Sequence, residues 1–289
     1  MLAPATKADD QLFSLLGLDR VISVVDIGSS STDGAAPPYA GILANELCTV
    51  IGFEPHESSL AKLREDAGQF EAYLPHVIGT GKPGVMKVYE CVGLSSMLEL
   101  DPTRLPLLNL HEMFGQLRQE VPTKTLRLDD IAEIDRIDYL KIDIQGGELA
   151  VFQNGQAKLA DAVAIHTEVS FFRLYKGQPS FADIDTELRA QGFVFHCFED
   201  VKRWPISPAV IDENPGAALR QTVEADVVYV RDWTKPMAAE QWKMLAAIAH
   251  HVYRSYDLAL RAVVGLANMG ALPPSAPEDY AKLLQGMAR

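Results

Sequence analysis

Lys141-Ile142-Asp143-Ile144-Gln145-Gly146-Gly147-Glu148 is the stretch whose reading decides the fold. An apolar run halts at an acidic residue and passes into a glycine pair. Val24-Val25-Asp26-Ile27-Gly28 and Phe53-Glu54-Pro55 share the design. Short apolar runs of this kind are buried parallel strands, each break marking a loop at the strand's carboxyl end. In open α/β sheets ligands bind beyond those ends, where strand order reverses. Asp26, Glu54 and Asp143 are therefore expected around one crevice. Three carboxylates suit a ligand bearing hydroxyls, an ammonium or a sulfonium, and not one bearing phosphates.

Outward from these motifs, strand and helix patterns alternate. Strands are expected at 21–27, 49–53, 76–78, 139–144, 162–169, 193–198 and 226–230. Helices are expected at 9–18, from Pro37 or Pro38 to about Leu47, and at 56–66, 147–152 and 181–191. Alternation of this kind implies a parallel sheet with helices on both faces. The last two strands lack a helix between them and suit an antiparallel edge hairpin. The expectation is an α/β fold, a doubly wound, mostly parallel, seven-stranded Rossmann-like sheet with a C-terminal helical extension. Its parts are an N-terminal helical segment (1–20), a ligand-binding domain (21–232) with a flap insertion at 81–128, and the extension (233–289). Within the extension, residues 236–268 carry Leu245, Ile248, Val252, Tyr256, Leu260 and Val263 at helical spacing. That surface must be covered, by the chain's own domain or by a homodimer contact.

Bulk properties narrow the class. The chain has 289 residues, 48% hydrophobic and 22% charged, with a net charge of −13. Mean hydropathy is +0.01 and the pI about 5.0. Such a surface repels nucleic acid, whose binding rests on neutralising phosphates. The three cysteines have neither zinc spacing nor a disulfide framework and fit a reducing cytoplasm. No apolar run approaches the ~20 residues of a membrane span, so no membrane partner is expected.

The loop after the first strand, Gly28-Ser29-Ser30-Ser31-Thr32-Asp33-Gly34, excludes two cofactor classes. A dinucleotide fingerprint needs glycine where Ser30 and Asp33 stand, and an anionic side chain opposes a diphosphate. A Walker loop fails because Ala35, not Lys, follows Gly34. S-adenosylmethionine has no phosphate and fits better. Gly28 permits close backbone approach, and Ser29 and Ser30 can receive its α-carboxylate. Asp26 either braces the loop or accepts from the ammonium, and Glu54 is positioned for the ribose hydroxyls.

These segments, with Ser95-Ser96, Thr125-Leu126-Arg127-Leu128-Asp129-Asp130 and Thr167-Glu168-Val169, stand in the order and approximate spacing of an FkbM-type methyltransferase, which the chain resembles over roughly 21–232. The resemblance implies an S-adenosylmethionine-dependent enzyme that methylates a hydroxyl oxygen on a sugar, glycan, polyketide or similar small metabolite. A non-catalytic S-adenosylmethionine-binding module and, less well supported, a nicotinamide oxidoreductase remain as alternatives. Candidate cofactor contacts are Asp26, Gly28, Ser29, Ser30, Glu54, Pro55, Ile78 and Asp143. For transfer to an alcohol, a base must take the hydroxyl proton. Asp143 and Glu168 end neighbouring strands, and His166 shares the face of Glu168. These three are the catalytic candidates, as an acid/base cluster in preference to a Mg²⁺ site; no metal ligands are assigned. Lys141 is expected to snorkel or to pair with a carboxylate, with no chemistry assigned to it. The acceptor is not legible, since neither 81–128 nor the segment after Val169 carries a motif that names a molecule.

Overall fold

The computed structural model of the protein describes residues 10–29, 36–109, 115–214, 216–217 and 219–287. In chain order the strands are β1 (Ile22–Ile27), β2 (Cys48–Phe53), β3 (Glu71–Leu74), β4 (Val77–Ile78), β5 (Pro83–Tyr89), β6 (Leu117–Leu126), β7 (Tyr139–Ile142), β8 (Ala164–Ser170), β9 (Phe193–Trp204) and β10 (Gln221–Arg231). The α-helices are α1 (Gln11–Leu16), α2 (Ala40–Ala44), α3 (Glu57–Asp66), α4 (Glu148–Gln153), α5 (Phe181–Ala190), α6 (Ala239–His251), α7 (Tyr256–Asn268) and α8 (Ala276–Met287).

Seven strands form one sheet in the order β3-β2-β1-β7-β8-β10-β9. The first five run parallel, and β10 runs antiparallel to both β8 and β9. The expected edge hairpin is present, and its second strand inserts next to β8. Successive side chains alternate between the faces, so Val24 and Val25 enter different cores. Val24, Val50, Tyr139 and Val228 pack with α1 and with Trp242, Leu245, Ile248, Val263 and Leu266 of α6 and α7. Val25, Leu140, Ile142 and Ile165 pack with Val151 and Phe152 of α4 and Ile184 and Leu188 of α5.

One expectation needs correction. The third strand of the main sheet is β3, and residues 76–78 belong elsewhere. Val77 and Ile78 pair with Thr125 and Leu126 of β6, which pairs antiparallel with β5 in a separate three-stranded sheet. Glu71–Leu74 has one buried position and carries no apolar run, so its pairing along Val50–Phe53 is a tertiary decision. Residues 236–268, expected to be helical, form α6 and α7, separated where Arg254 takes a left-handed φ of 53°. Both halves pack on the chain's own sheet. Asp10 caps α1, its Oδ1 accepting from Phe13 N at 2.9 Å.

Candidate functional site

Strand register sets out the site in two transverse rows on the sheet face that the C-terminal helices cover. In the first, Asp26, Lys141 and His166 lie side by side on β1, β7 and β8. In the second, one pleat nearer the carboxyl ends, Glu168 is level with Asp226 of β10 and Asp200 of β9. Asp143, two residues beyond Lys141, joins this second row.

The first row is braced. Asp26 is 1% exposed; its Oδ2 accepts from the Tyr39 hydroxyl at 2.6 Å, and its Oδ1 lies 3.3 Å from Lys141 Nζ. Lys141 Nζ also donates to the Gly28 carbonyl at 2.9 Å. Burial opposes the lysine's charge, yet Asp26 and Asp143 hold it protonated. Lys141 thus pairs with a carboxylate as expected, and Asp26 works as a brace for the strand-to-loop turn. Lys141→Met would strip that buried carboxylate of its cation, so a loss of about 3–5 kcal/mol is expected. Urea unfolding measures it, and an unchanged midpoint would remove the pair from this account.

Gly28 has φ +80°, and a Cβ there would sit 2.0 Å from the Asp143 carbonyl. Glycine is thus required because the Asp143 backbone crosses against it. The Ser29 hydroxyl donates inward to the Asp26 carbonyl at 2.9 Å. That bond uses the hydroxyl hydrogen within the turn. Ser30 lies outside the described residues. Glu54 is buried, and one oxygen accepts from His56 N at 2.7 Å.

A cavity of about 420 Å³ opens at the strand ends on the α4 side. Gly28, Phe53, Pro55 and Ile78 line it, together with Met86 of β5 and Met97 of the segment that follows β5. The insertion at 81–128 therefore walls the cavity. Asp26, Ser29, Glu54, Asp143, His166 and Glu168 are not among its lining residues. The turn after β7 separates cavity from carboxylates: Ile144, Gly146 and Gly147 face the cavity, while Asp143 and Gln145 join the acidic row. Ser96 ties the insertion to this turn, donating to the Gln145 carbonyl at 2.7 Å and accepting from Leu98 N at 2.9 Å. Neither Ser95 nor Ser96 lines the cavity.

Within the row, Gln145 Nε2 lies 3.0 Å from both Asp143 Oδ1 and Glu168 Oε2. Its backbone is left-handed, φ 57°. Tyr175 holds the amide from behind, with its hydroxyl 3.2 Å from Gln145 Oε1. Lys202 Nζ approaches Glu168 Oε1 at 3.4 Å and Glu224 at 2.8 Å. Burial first, and the Asp143 charge second, push the Glu168 carboxyl well above the usual range. Burial likewise raises Glu148 to about 7, although Ile144 N and Gly146 N donate to it. His166 is lowered to about 4 by burial and by Lys141. Its ring stacks on Tyr253, centroids 6.3 Å apart, with Nδ1 3.4 Å from the Tyr253 hydroxyl.

Asp143, Glu148 and Glu168 each offer an oxygen within 4.8 Å of the others, a set suited to a hard cation. The Gln145 amide already serves two of them. Gln145, Lys202 and Tyr253 are absent from the sequence reading. Gln145 stood inside the decisive motif, ahead of two glycines, which is the signal of a turn that aims a side chain. Lys202 and Tyr253 arrive from distant strands and helices and carry no local signal.

Counted within the main sheet, the strand order is 3-2-1-4-5-7-6 with the seventh reversed. With an acid closing each of the first, second and fourth strands, this is the architecture of S-adenosylmethionine-dependent methyltransferases. More narrowly, the methyltransferase FkbM domain matches residues 26–195, and the chain belongs to that family. It is an enzyme of that class, and S-adenosylmethionine is its cofactor. Among solved structures it is similar to magnesium protoporphyrin IX methyltransferase from Synechocystis PCC 6803 with bound S-adenosylmethionine, at 12% identity, TM-score 0.38, covering 76% of each chain. It is also similar to precorrin-6y C5,15-methyltransferase from Geobacter metallireducens GS-15, at 11% identity, TM-score 0.33, covering 80% of this chain and 100% of that one. No curated protein matches the chain in sequence at a significant level. Among the described residues no helix is long and apolar enough to cross a membrane.

Proposed function

We propose that the enzyme methylates a hydroxyl oxygen of a sugar, glycan or other small metabolite, with Asp143 as the base. The observation that carries this reading is the pairing of Asp143 with Glu168 through one amide, beside a cavity at the carboxyl ends of the strands. The cavity suits a cofactor without phosphate. Its lining is largely apolar, and its basic side chains are His76 and Lys82. Pro55 and Ile78 would hold the nucleoside, and Glu54 would accept from the ribose hydroxyls. The left-handed turn at Gly28, braced by Asp26 and Lys141, would carry the methionine end. Bound there, S-adenosylmethionine supplies an electrophilic methyl group.

The chain's own residues orient the acceptor, exclude water and take its proton. Burial and the neighbouring Asp143 disfavour charge on Glu168, so we assign the proton-accepting role to Asp143 and a supporting role to Glu168. His166, with so low a pKa, is a poor base. The Gln145 amide between the carboxylates favours acid/base chemistry over a Mg²⁺ site, so chelation with EDTA should leave turnover unchanged. The unpaired cysteines suit a cytoplasmic enzyme. We retain 21–232 as the catalytic unit and 233–289 as its extension.

Calorimetry with S-adenosylmethionine and S-adenosylhomocysteine, followed by product release from a panel of hydroxylated acceptors, tests the reading. Binding without transfer to any of them would favour a non-catalytic module. Glu54→Ala should weaken S-adenosylhomocysteine by about thirtyfold, the effect of losing charge-assisted hydrogen bonds. Unchanged affinity would take Glu54 out of the site.

A further inference from the structure

The charge around the cavity is one-sided. Among its described lining residues none is acidic and Lys82 alone carries a fixed charge, although the chain as a whole has a net charge of −13. His76 and Thr80, on the same short segment, add two further donors to the lining. The lysines around the site are committed. Lys141 meets Asp26, Lys202 meets Glu168 and Glu224, and Lys87 donates to the carbonyls of Val85 and Met97. Lys82 Nζ has no hydrogen bond or ion pair among the described residues.

The main chain of Lys82, by contrast, is clamped. Its N–H donates to Thr80 Oγ1 at 3.3 Å, and its carbonyl accepts from Thr125 Oγ1 at 2.8 Å. Gly81 before it has φ +79°, and a Cβ there would sit 2.8 Å from Arg127 Cγ. Pro83 after it opens β5 with φ fixed by its ring. The side chain is exposed and yet lines the cavity, so it stands where the cavity meets solvent. Beside it the wall is apolar, formed by Pro83, Met86, Met97 and Leu98, and thioethers adapt to bodies of varied shape. A cation at the mouth of such a low-dielectric cleft draws anions more strongly than one in open water. We propose that Lys82 is a specificity-determining residue: its ammonium binds a carboxylate or phosphate carried on an otherwise apolar acceptor. Its place in acceptor choice rests on the hydroxyl-transfer reading above, whereas the capture of the anion does not.

Three probes that share one body serve as the test: ω-hydroxydecanoate, ω-hydroxydecyl phosphate and the neutral ω-hydroxydecanamide. Calorimetry on the full chain saturated with S-adenosylhomocysteine reads their affinities. At least one anion is expected to bind about tenfold or more tightly than the amide, the range of a charge-assisted hydrogen bond. Which anion leads tells carboxylate from phosphate. Lys82→Gln should erase the difference, and Lys82→Glu should turn it in favour of the amide. Added salt should weaken the anions and spare the amide. Equal affinity of the three probes for the wild type, absence of binding included, overturns the proposal. So does an anion preference that survives in Lys82→Gln. A loss of S-adenosylhomocysteine affinity in Lys82→Gln would give the lysine to the cofactor, and that also overturns it. Binding of an anion without its methylation would instead strike the hydroxyl-transfer reading and leave anion capture by Lys82 in place.

Discussion

A chain ending at Trp233 is expected to be insoluble or unfolded. The cut removes Trp242, Leu245, Ile248, Leu258, Val263 and Leu266, all buried against β1, β2, β7 and β10. At about 1.5–3 kcal/mol for each buried side chain, the loss is about 10 kcal/mol or more, comparable to the whole stability of a typical domain. It also bares Val24, Val50, Tyr139 and Val228 on one sheet face. Expression yield and a thermal melt by circular dichroism measure the outcome. Light scattering of the full chain adds the oligomeric state, with a monomer expected because α6 and α7 spend their apolar faces internally. A truncated chain that melts cooperatively and binds S-adenosylhomocysteine would show that the extension is dispensable.

Asp143→Asn is the second large effect. It should lower turnover by about a thousandfold, the range for loss of a general base, with cofactor affinity and thermal stability near wild type. Asparagine keeps the shape, and the Gln145 amide can rotate to meet it. Glu168→Gln provides the contrast, since burial already disfavours its charged form, and a loss of less than about tenfold is expected. The same substitution has a signature in stability. Glu168 has a folded pKa raised above its unfolded value by burial and then by Asp143. Its contribution is full below the ordinary carboxylate pKa and is lost as pH rises towards the folded value. Wild type should therefore lose urea resistance from about pH 4.5 upward, and Glu168→Gln should lose less. Equal pH slopes for the two proteins would mean that Glu168 is ionised in the native state, and a wild-type rate for Asp143→Asn would mean that the base lies elsewhere.

The sequence by itself determined the class of fold and the carboxyl-end residues. β1, β2 and β7 lie in the interior of the sheet, and each carries a short, mostly apolar run that gives way to an acid at or near the strand's end. The acids that close them, Asp26, Glu54 and Asp143, are legible for that reason, and so is the phosphate-rejecting loop after Gly28. Edge elements obey no such rule. β3 pairs on one side only, with one buried residue among four, and nothing local separates it from a loop. The tertiary structure alone decided which partners each acid meets. Asp26 and Asp143 have the same local pattern, yet Tyr39 and Lys141 engage the first while Gln145 and Glu168 flank the second. Those partners lie up to 115 residues away in the chain, and a carboxylate's role is set by the charges and donors within a few ångströms, at distances that local sequence does not encode. The fate of the tail followed the same logic. Helical spacing required that its apolar face be covered, and only the packing of α6 and α7 on this chain's own strands decided by what.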